Sequence, residues 1–258
     1  MLKIDYHMHT TFSDGEPTYK QVIDRAKELG LDCIAITDHF DPYDPNPRVN
    51  CLKEEELLKF FKQIKTYAEE VGQRVLCGLE TCTDYKGNLR LSDKVIESCE
   101  LIITSPHYVE YHKELIPGNY FDDCYWESYK EKVLNMAAAG GDILGHAEAY
   151  LPYRELLVPN TTDFEGRIAL ALKIANKYFD EKYIDELTKA LKKSKKAYEL
   201  HCATSTPREW VIEKLIKEDI KLSFGSDAHG LSKVGNIAWA EKMLRKFNAE
   251  NQQFVKNI

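Results

Sequence analysis

An α/β fold built on a parallel sheet is what the sequence predicts, and three observations carry the prediction. Short apolar runs ending in a polar residue recur along the chain, each followed by a loop and then a helical pattern, which is the rhythm of βαβ units. The length of 258 residues suits one barrel-sized α/β domain, commonly about 250 residues. Histidines and carboxylates follow almost every apolar run, positions that share one face of a parallel sheet or barrel.

The strands are expected at Leu2–Tyr6, Asp32–Thr37, Arg74–Glu80, Leu101–Ser105, Asp142–His146, Ala197–His201 and Ile220–Gly225. Between them, helices are expected at Thr18–Leu29, where Val22, Ile23, Ala26 and Leu29 recur at helical spacing, and at Lys53–Val71 and Asp122–Ala139. Four more follow at Phe164–Phe179, Ile184–Lys195, Pro207–Lys217 and Val234–Phe247, with Pro207 suited to a first helical turn. Gly30 and Gly72 stand where helix C-caps are expected. No linker, repeat or low-complexity stretch divides the chain, so residues 1–258 are read as one domain. Two connections are unusually long: Phe40–Cys51, stiffened by Pro42, Pro45 and Pro47, and Glu148–Asp163, with Pro152 and Pro159. Loops of that length in a compact domain are often lids or binding loops.

Composition narrows the function. Hydrophobic residues make up 43% and charged residues 30%, the range of an ordinary globular protein. No apolar run approaches the ~18 residues of a membrane span, and the N-terminus lacks the basic and apolar regions of a signal peptide. A cytoplasmic protein without a membrane partner is expected. The seven cysteines are an odd number without a Cys-x-x-Cys pair, which indicates reduced thiols, several of them on buried strands. A net charge of -7 argues against a surface built to hold nucleic-acid backbone. The lysines of Lys189–Lys196 are read as a solvated helix face.

The chemistry gathers at the strand ends. His7 and His9 follow the first strand, Asp38 and His39 the second, Glu80 ends the third, and His107 follows the fourth. His146 ends the fifth, His201 the sixth, and Asp227 and His229 follow the seventh; of the eight histidines only His112 falls elsewhere. Strand alternation sends His7 and His9 to one side, and Gly15 allows a sharp turn that brings Asp14 back, so these groups can close on one metal or on neighbouring metals. Imidazole nitrogen with carboxylate oxygen suits Zn, Mn or Fe, and thiolates are missing from the set. One ion rarely takes more than about six ligands, so this set implies two or three divalent ions, with a carboxylate such as Glu80 bridging a pair. Paired ions acidify a shared water to hydroxide near neutral pH and clamp a phosphoryl oxygen, the arrangement for phosphate ester hydrolysis.

The motifs His7-x-His9-Thr10-x-x-Ser13-Asp14-Gly15, Thr37-Asp38-His39, Gly78-Leu79-Glu80, Ser105-Pro106-His107, Gly145-His146 and Ser226-Asp227-Ala228-His229 resemble the PHP family, the polymerase and histidinol phosphatase domains. The resemblance runs in order from residue 5 to about residue 240. It implies a distorted (β/α)7 barrel, TIM-barrel-like, with a trinuclear centre at the C-terminal ends of the strands. It also implies a ligand set: His7, His9, Glu80 and Asp227 for the first ion, Glu80, His107 and His146 for the second, and Asp14, His39 and His229 for the third. Within the family, the compact size, the Ser-Pro-His-Tyr segment and the insertion after Gly145-His146 resemble the histidinol-phosphate phosphatases. The chain departs from the family where Glu199-Leu200-His201 replaces a frequent Glu-x-Asn, and where Arg208 only approximately matches the arginine that follows.

The expected activity is therefore hydrolysis of a small phosphorylated metabolite, with histidinol phosphate the substrate that the resemblance implies. Arg154 and Arg208 are candidates to hold the phosphate, since guanidinium groups pair with it bidentately. Asp38 is read either as a carboxylate that orients a ligand histidine or, equally, as a cap of the loop before His39, and His201 as a group that contacts substrate or protonates the leaving oxygen. A nuclease and a metal-free interaction scaffold are the alternatives. The sequence leaves the oligomeric state open.

Overall fold

In a computed structural model, which describes residues 1–152, 156–158 and 163–256, seven strands lie side by side in chain order, and every pairing is parallel. They are β1 (Ile4–Asp5), β2 (Cys33–Ile36), β3 (Val75–Thr81), β4 (Leu101–Thr104), β5 (Ile143–Leu144), β6 (Ala197–His201) and β7 (Leu222–Gly225). Beyond the paired segments, Tyr6 N donates to Phe224 O at 3.0 Å and His9 N to Ala228 O at 3.0 Å. These bonds bring the first strand against the last and curl the sheet into a nearly closed, distorted (β/α)7 barrel. β2 and β4 are buried at every position, as strands covered on both faces must be. All seven predicted strands are present, but β1 and β5 are only two residues long.

The helices around the barrel are α1 (Tyr19–Glu28), α2 (Pro47–Asn50), α3 (Glu54–Val71), α4 (Asp93–Ser98), α5 (Asp123–Ala138), α6 (Phe164–Tyr178), α7 (Glu181–Ser194), α8 (Glu209–Lys217) and α9 (Ala238–Lys246). α1 starts as a capping box between Thr18 and Gln21 and buries Val22, Ile23 and Ala26. α3 ends on Gly72 in the left-handed conformation, as expected. Two short helices were not anticipated: α2 inside the proline-rich loop and α4, whose six residues give too little periodicity to read. Pro207 does not begin a helix; Arg208 occupies the N-cap and α8 begins at Glu209. Among the described residues no helix is long and apolar enough to cross a membrane.

Alternation along the strands layers the barrel. Cys33 and Ala35, Leu76, Leu101 and Ile103, Ile143 and Ala197 pack with Ile4 and Tyr6 into one apolar cluster, against which Phe254 rests. Further along the same strands stand Glu80, Glu199 and His201, all buried. Thus the N-terminal part of the barrel is apolar core, and the C-terminal mouth carries the polar chemistry. All seven cysteines are free, with Cys33, Cys77, Cys82 and Cys202 buried.

The lysine run is not wholly a solvated face. Lys192 and Lys193 are exposed, but Lys196 turns inward, and its Nζ donates to Thr104 Oγ1 at 3.0 Å, Met136 O at 2.7 Å and Gly140 O at 2.5 Å. Burial pushes its pKa down to about 7. The unfolded chain, with an ordinary lysine near ~10.4, then binds more protons than the folded one between about pH 7 and pH 10, so stability rises with pH across that window. Urea unfolding of wild type and Lys196→Met across that window tests this: the wild-type free energy should climb relative to the variant's, and parallel profiles would exclude the shift.

Candidate metal centre

The loop that follows β1 presents the first donors. His7 and His9 are fully buried, and Asp14 returns toward them through a turn in which Gly15 N donates to Thr10 O at 2.9 Å. Gly15 is required by close approach: a Cβ there would meet the His9 carbonyl at 2.5 Å. Asp38 holds this turn, because its carboxylate accepts from Thr10 N (2.8 Å), Thr10 Oγ1 (2.7 Å) and Ser13 Oγ (2.7 Å). Asp38 thus supports the turn between His9 and Asp14, rather than reaching the centre.

Glu80 is the hub. Its Oε1 lies 2.8 Å from His146 Nε2 and 3.1 Å from His107 Nε2. Its Oε2 lies 3.0 Å from His39 Nδ1, 3.3 Å from His7 Nε2 and 3.5 Å from His9 Nε2. Asp227 Oδ1 faces His9 Nε2 at 3.2 Å and His7 Nε2 at 3.5 Å. Asp14 lies 3.4 Å from His229 Nε2 and 3.6 Å from His39 Nε2. Four sets of donor atoms each lie within 4.8 Å of one another: His9, Asp14, His39 and His229; His7, Glu80 and His146; His7, His9 and Asp227; and His39, Glu80 and His107. All nine expected ligands therefore meet at one mouth of the barrel. Glu80 presents a separate oxygen to each of two histidine groups, while His9 and His39 stand between sets that the resemblance keeps apart.

The donors fit divalent cations. His7 Nε2, both ring nitrogens of His9, Glu80 Oε2, His107 Nε2 and His146 Nδ1 are buried without a hydrogen-bond partner, although buried polar atoms ordinarily have one. Burial, with His39 alongside, pushes His9 down to about 3 and keeps its imidazole in the neutral form that binds metals. Burial works against the charge of Glu80, yet His7, His107, His39 and His146 hold it well below the usual carboxylate range. Burial lowers His229 too, but Asp14 and Asp227 outweigh it and raise it to about 9. Nitrogen and oxygen donors without thiolate suit zinc, manganese or iron.

Four supporting residues escaped the sequence reading. Glu199 Oε1 accepts from His7 Nδ1 at 2.6 Å and its Oε2 from His146 N at 2.7 Å, which fixes the His7 tautomer and leaves Nε2 for the centre. Gly225 makes room for that carboxylate, since a Cβ would sit 2.0 Å from Glu199 Oε1. Asp5 accepts from Ser226 N and Gly235 N, both at 3.0 Å, and so holds the segment that carries Asp227. Tyr150 donates to Asp227 Oδ2 at 2.8 Å. The available signal was Glu199 itself, a carboxylate two residues before His201 and so on the same strand face.

Other expected residues are placed differently. His201 is fully buried, with Nε2 3.1 Å from Asp227 Oδ2 and Nδ1 2.7 Å from Thr204 Oγ1. Arg208 faces away from the donors: its guanidinium pairs with Glu148 at 3.0 Å and donates to Asn176 Oδ1 and Phe179 O. Arg154 lies outside the described residues. Arg167, not singled out beforehand, lines the metal pocket and donates to Tyr150 O at 2.6 Å. That pocket holds about 510 Å³, and Asp44, Asn46, Pro47 and Val49 from the proline-rich loop form part of its wall.

Fold and site together define a seven-stranded α/β barrel with a histidine- and carboxylate-lined metal centre at its C-terminal mouth. Residues 5–203 match the PHP domain, and the chain belongs to that family. Over 256 residues it is 26% identical to a Thermotoga maritima protein named probable histidinol-phosphatase, covering 96% of this chain and 93% of that one. Over 107 residues it is 32% identical to DNA polymerase/3'-5' exonuclease PolX of Bacillus subtilis, a match covering 41% of this chain and 18% of that protein. Among solved structures, histidinol phosphate phosphatase from Lactococcus lactis, complexed with zinc, L-histidinol and phosphate, superposes with a TM-score of 0.66 at 19% identity, covering 95% of this chain and 93% of that one. At that identity the likeness speaks for the fold alone.

The role of Glu199 is open to a direct test. Glu199→Gln keeps the shape but removes the charge that orients His7, so metal affinity should fall by about 10–100-fold. Metal content measured by mass spectrometry after dialysis against graded chelator reads this, and an unchanged retention curve would remove Glu199 from the centre's support.

Proposed function

We propose that this protein is a metal-dependent phosphatase that hydrolyses a small phosphate monoester, with L-histidinol phosphate its substrate. The observation that carries the reading is Glu80, whose two oxygens face separate imidazole groups in a pocket open at the barrel mouth. The near full-length likeness to the Thermotoga protein supports the monoester.

His7, His9, Glu80 and Asp227 would hold one ion, Glu80, His107 and His146 a second, and Asp14, His39 and His229 a third. Two or three zinc, manganese or iron ions, when bound, supply positive charge for the phosphoryl oxygens and acidify water near neutral pH. The chain's own residues set the geometry. His201 and Tyr150 occupy Asp227 Oδ2, which leaves Oδ1 directed at His7 and His9. His201 is on this view a positioning residue. Arg167 brings a cation to the pocket wall beside Tyr150, and Asp44, Asn46, Pro47 and Val49 of the proline-rich loop line the same pocket.

A second reading, a phosphoesterase acting on nucleotides or nucleic acid, is favoured by the PolX segment and opposed by the net charge of -7. The two separate in one experiment. Chelator-stripped protein is reloaded with zinc, manganese or iron, and phosphate release is followed from histidinol phosphate, nucleoside monophosphates and a phosphodiester. Monoesters should be cleaved, histidinol phosphate fastest, and chelator should abolish release. Turnover of diesters alone would overturn the assignment.

His201→Ala gives a further check. With Asp227 half released, turnover should fall at least tenfold, an effect of about 1.4 kcal/mol on the barrier, together with weaker metal retention. A fall in turnover with metal retention intact would instead place His201 in contact with substrate.

A further inference from the structure

Behind the metal centre lies a buried cluster that includes none of the donors. Lys132, on α5, is fully buried, and among the described residues its Nζ has no oxygen acceptor. It faces the ring of Tyr108, 4.0 Å from the centroid, and the thiol of Cys82. The Tyr108 hydroxyl donates to Asp41 Oδ2 at 3.3 Å, the same oxygen that accepts from Arg90 at 2.9 Å, while Asp41 Oδ1 accepts from Tyr43 N at 2.9 Å. The Arg90 guanidinium lies 4.7 Å from the Tyr43 ring and 5.5 Å from the Tyr108 ring. Asp41 follows the expected ligand His39 by two residues, Cys82 follows Glu80 by two, and Tyr108 follows His107 directly. His39, Glu80 and His107 form one of the four donor sets, so the cluster grips three loops where each leaves the centre. Asp41 also opens the proline-rich loop, whose Asp44, Asn46, Pro47 and Val49 form part of the pocket wall.

We propose that Lys132 is a positioning residue for the metal pocket: through Tyr108 and Asp41 it fixes the proline-rich loop where that loop walls the pocket. A buried ammonium without an oxygen acceptor is costly, and an apolar side chain of similar length would fill the same space without the cost. Departures of that kind from an apolar core are expected where they serve a function. What the ammonium supplies is a cation against the face of a ring in a desolvated place, where that attraction is strongest. It holds the Tyr108 ring so that the hydroxyl meets Asp41. Asp41, buried as well, is then held by that hydroxyl from the α5 side and by Arg90 from the loop after β3. The kinetic consequence rests on the phosphatase reading, and the support of the loop does not.

Two variants test it. Lys132→Met removes the charge and keeps the length, and Tyr108→Phe keeps the ring and removes the hydroxyl. Metal-loaded wild type and variants are digested with trypsin under native conditions, and cleavage after Arg48, an exposed residue of the loop, is followed by mass spectrometry. Cleavage there reads local opening of the loop. Both variants should be cut after Arg48 about tenfold faster than wild type, the factor that one desolvated cation–π contact or one hydrogen bond to a carboxylate supports. The double variant should be cut no faster than the single ones, since both break the same chain of contacts. Urea unfolding of Lys132→Met should be no easier than that of wild type, because a buried charge has been replaced by an apolar group. On a hydrolysed monoester KM should rise by a similar factor while kcat stays within about twofold, since the wall moves and the donors do not. Should Lys132→Met fail to fold, Tyr108→Phe carries the comparison. Unchanged cleavage after Arg48 overturns the proposal, and so does faster cleavage spread over the whole chain with easier urea unfolding, which would make Lys132 a core residue only. A fall in kcat at unchanged KM overturns it as well. If no ester is hydrolysed, the phosphatase reading falls and the cleavage rates alone decide the support of the loop.

Discussion

Everything at the barrel mouth depends on keeping one carboxylate, Glu80, charged while only 1% exposed. A buried carboxylate without compensation would take up a proton, since desolvation penalises the ion by several kcal/mol. Here the compensation comes from imidazoles on four different strand ends, at 2.8 to 3.5 Å, and these hold Glu80 in its ionised form. The imidazoles are themselves crowded, and several ring nitrogens have no protein partner. Cations resolve both demands at once, because they accept the nitrogen lone pairs and neutralise the carboxylates. The donor set thus makes sense as a whole only with metal bound.

That requirement explains features some distance from the donors. Glu199 fixes the His7 ring through Nδ1, and the missing side chain at Gly225 gives Glu199 its place. Asp38 clamps the turn carrying Asp14, Asp5 clamps the segment carrying Asp227, and Tyr150 with His201 occupies the unused oxygen of Asp227. Each of these groups is polar and buried or partly buried, and each is satisfied by a donor or acceptor on another element. Networks of that kind hold ligands to the tolerance that metal geometry needs.

The ligands were legible in the sequence because two simple rules coincide there: strand side chains alternate with period two, and parallel strands deliver their C-terminal residues to one face. His7 with His9, Glu80, His146 and Asp227 follow from strand position alone. The supporting groups were harder to see, since position indicates a face but not a partner. Glu199 sits on the ligand face, yet nothing local shows that His7, just after the first strand, is its donor. Lys196 looked like one more solvated lysine because its acceptors come from β4, α5 and the residues just after α5. α4 was missed because six residues carry too little periodicity, and β1 and β5 are shorter than their apolar runs, with only two residues each in regular ladders.

Arg208 shows why residue type and approximate position do not assign a role. An arginine after the sixth strand could reach a phosphate, but Glu148, 4% exposed, stands within 3.0 Å and would be left as a buried unpaired charge if the guanidinium moved away. Breaking such a pair costs about 3–5 kcal/mol, more than one exposed phosphate contact returns. The arginine is therefore held on the fifth loop, where it ties the segment carrying Tyr150 to the start of α8.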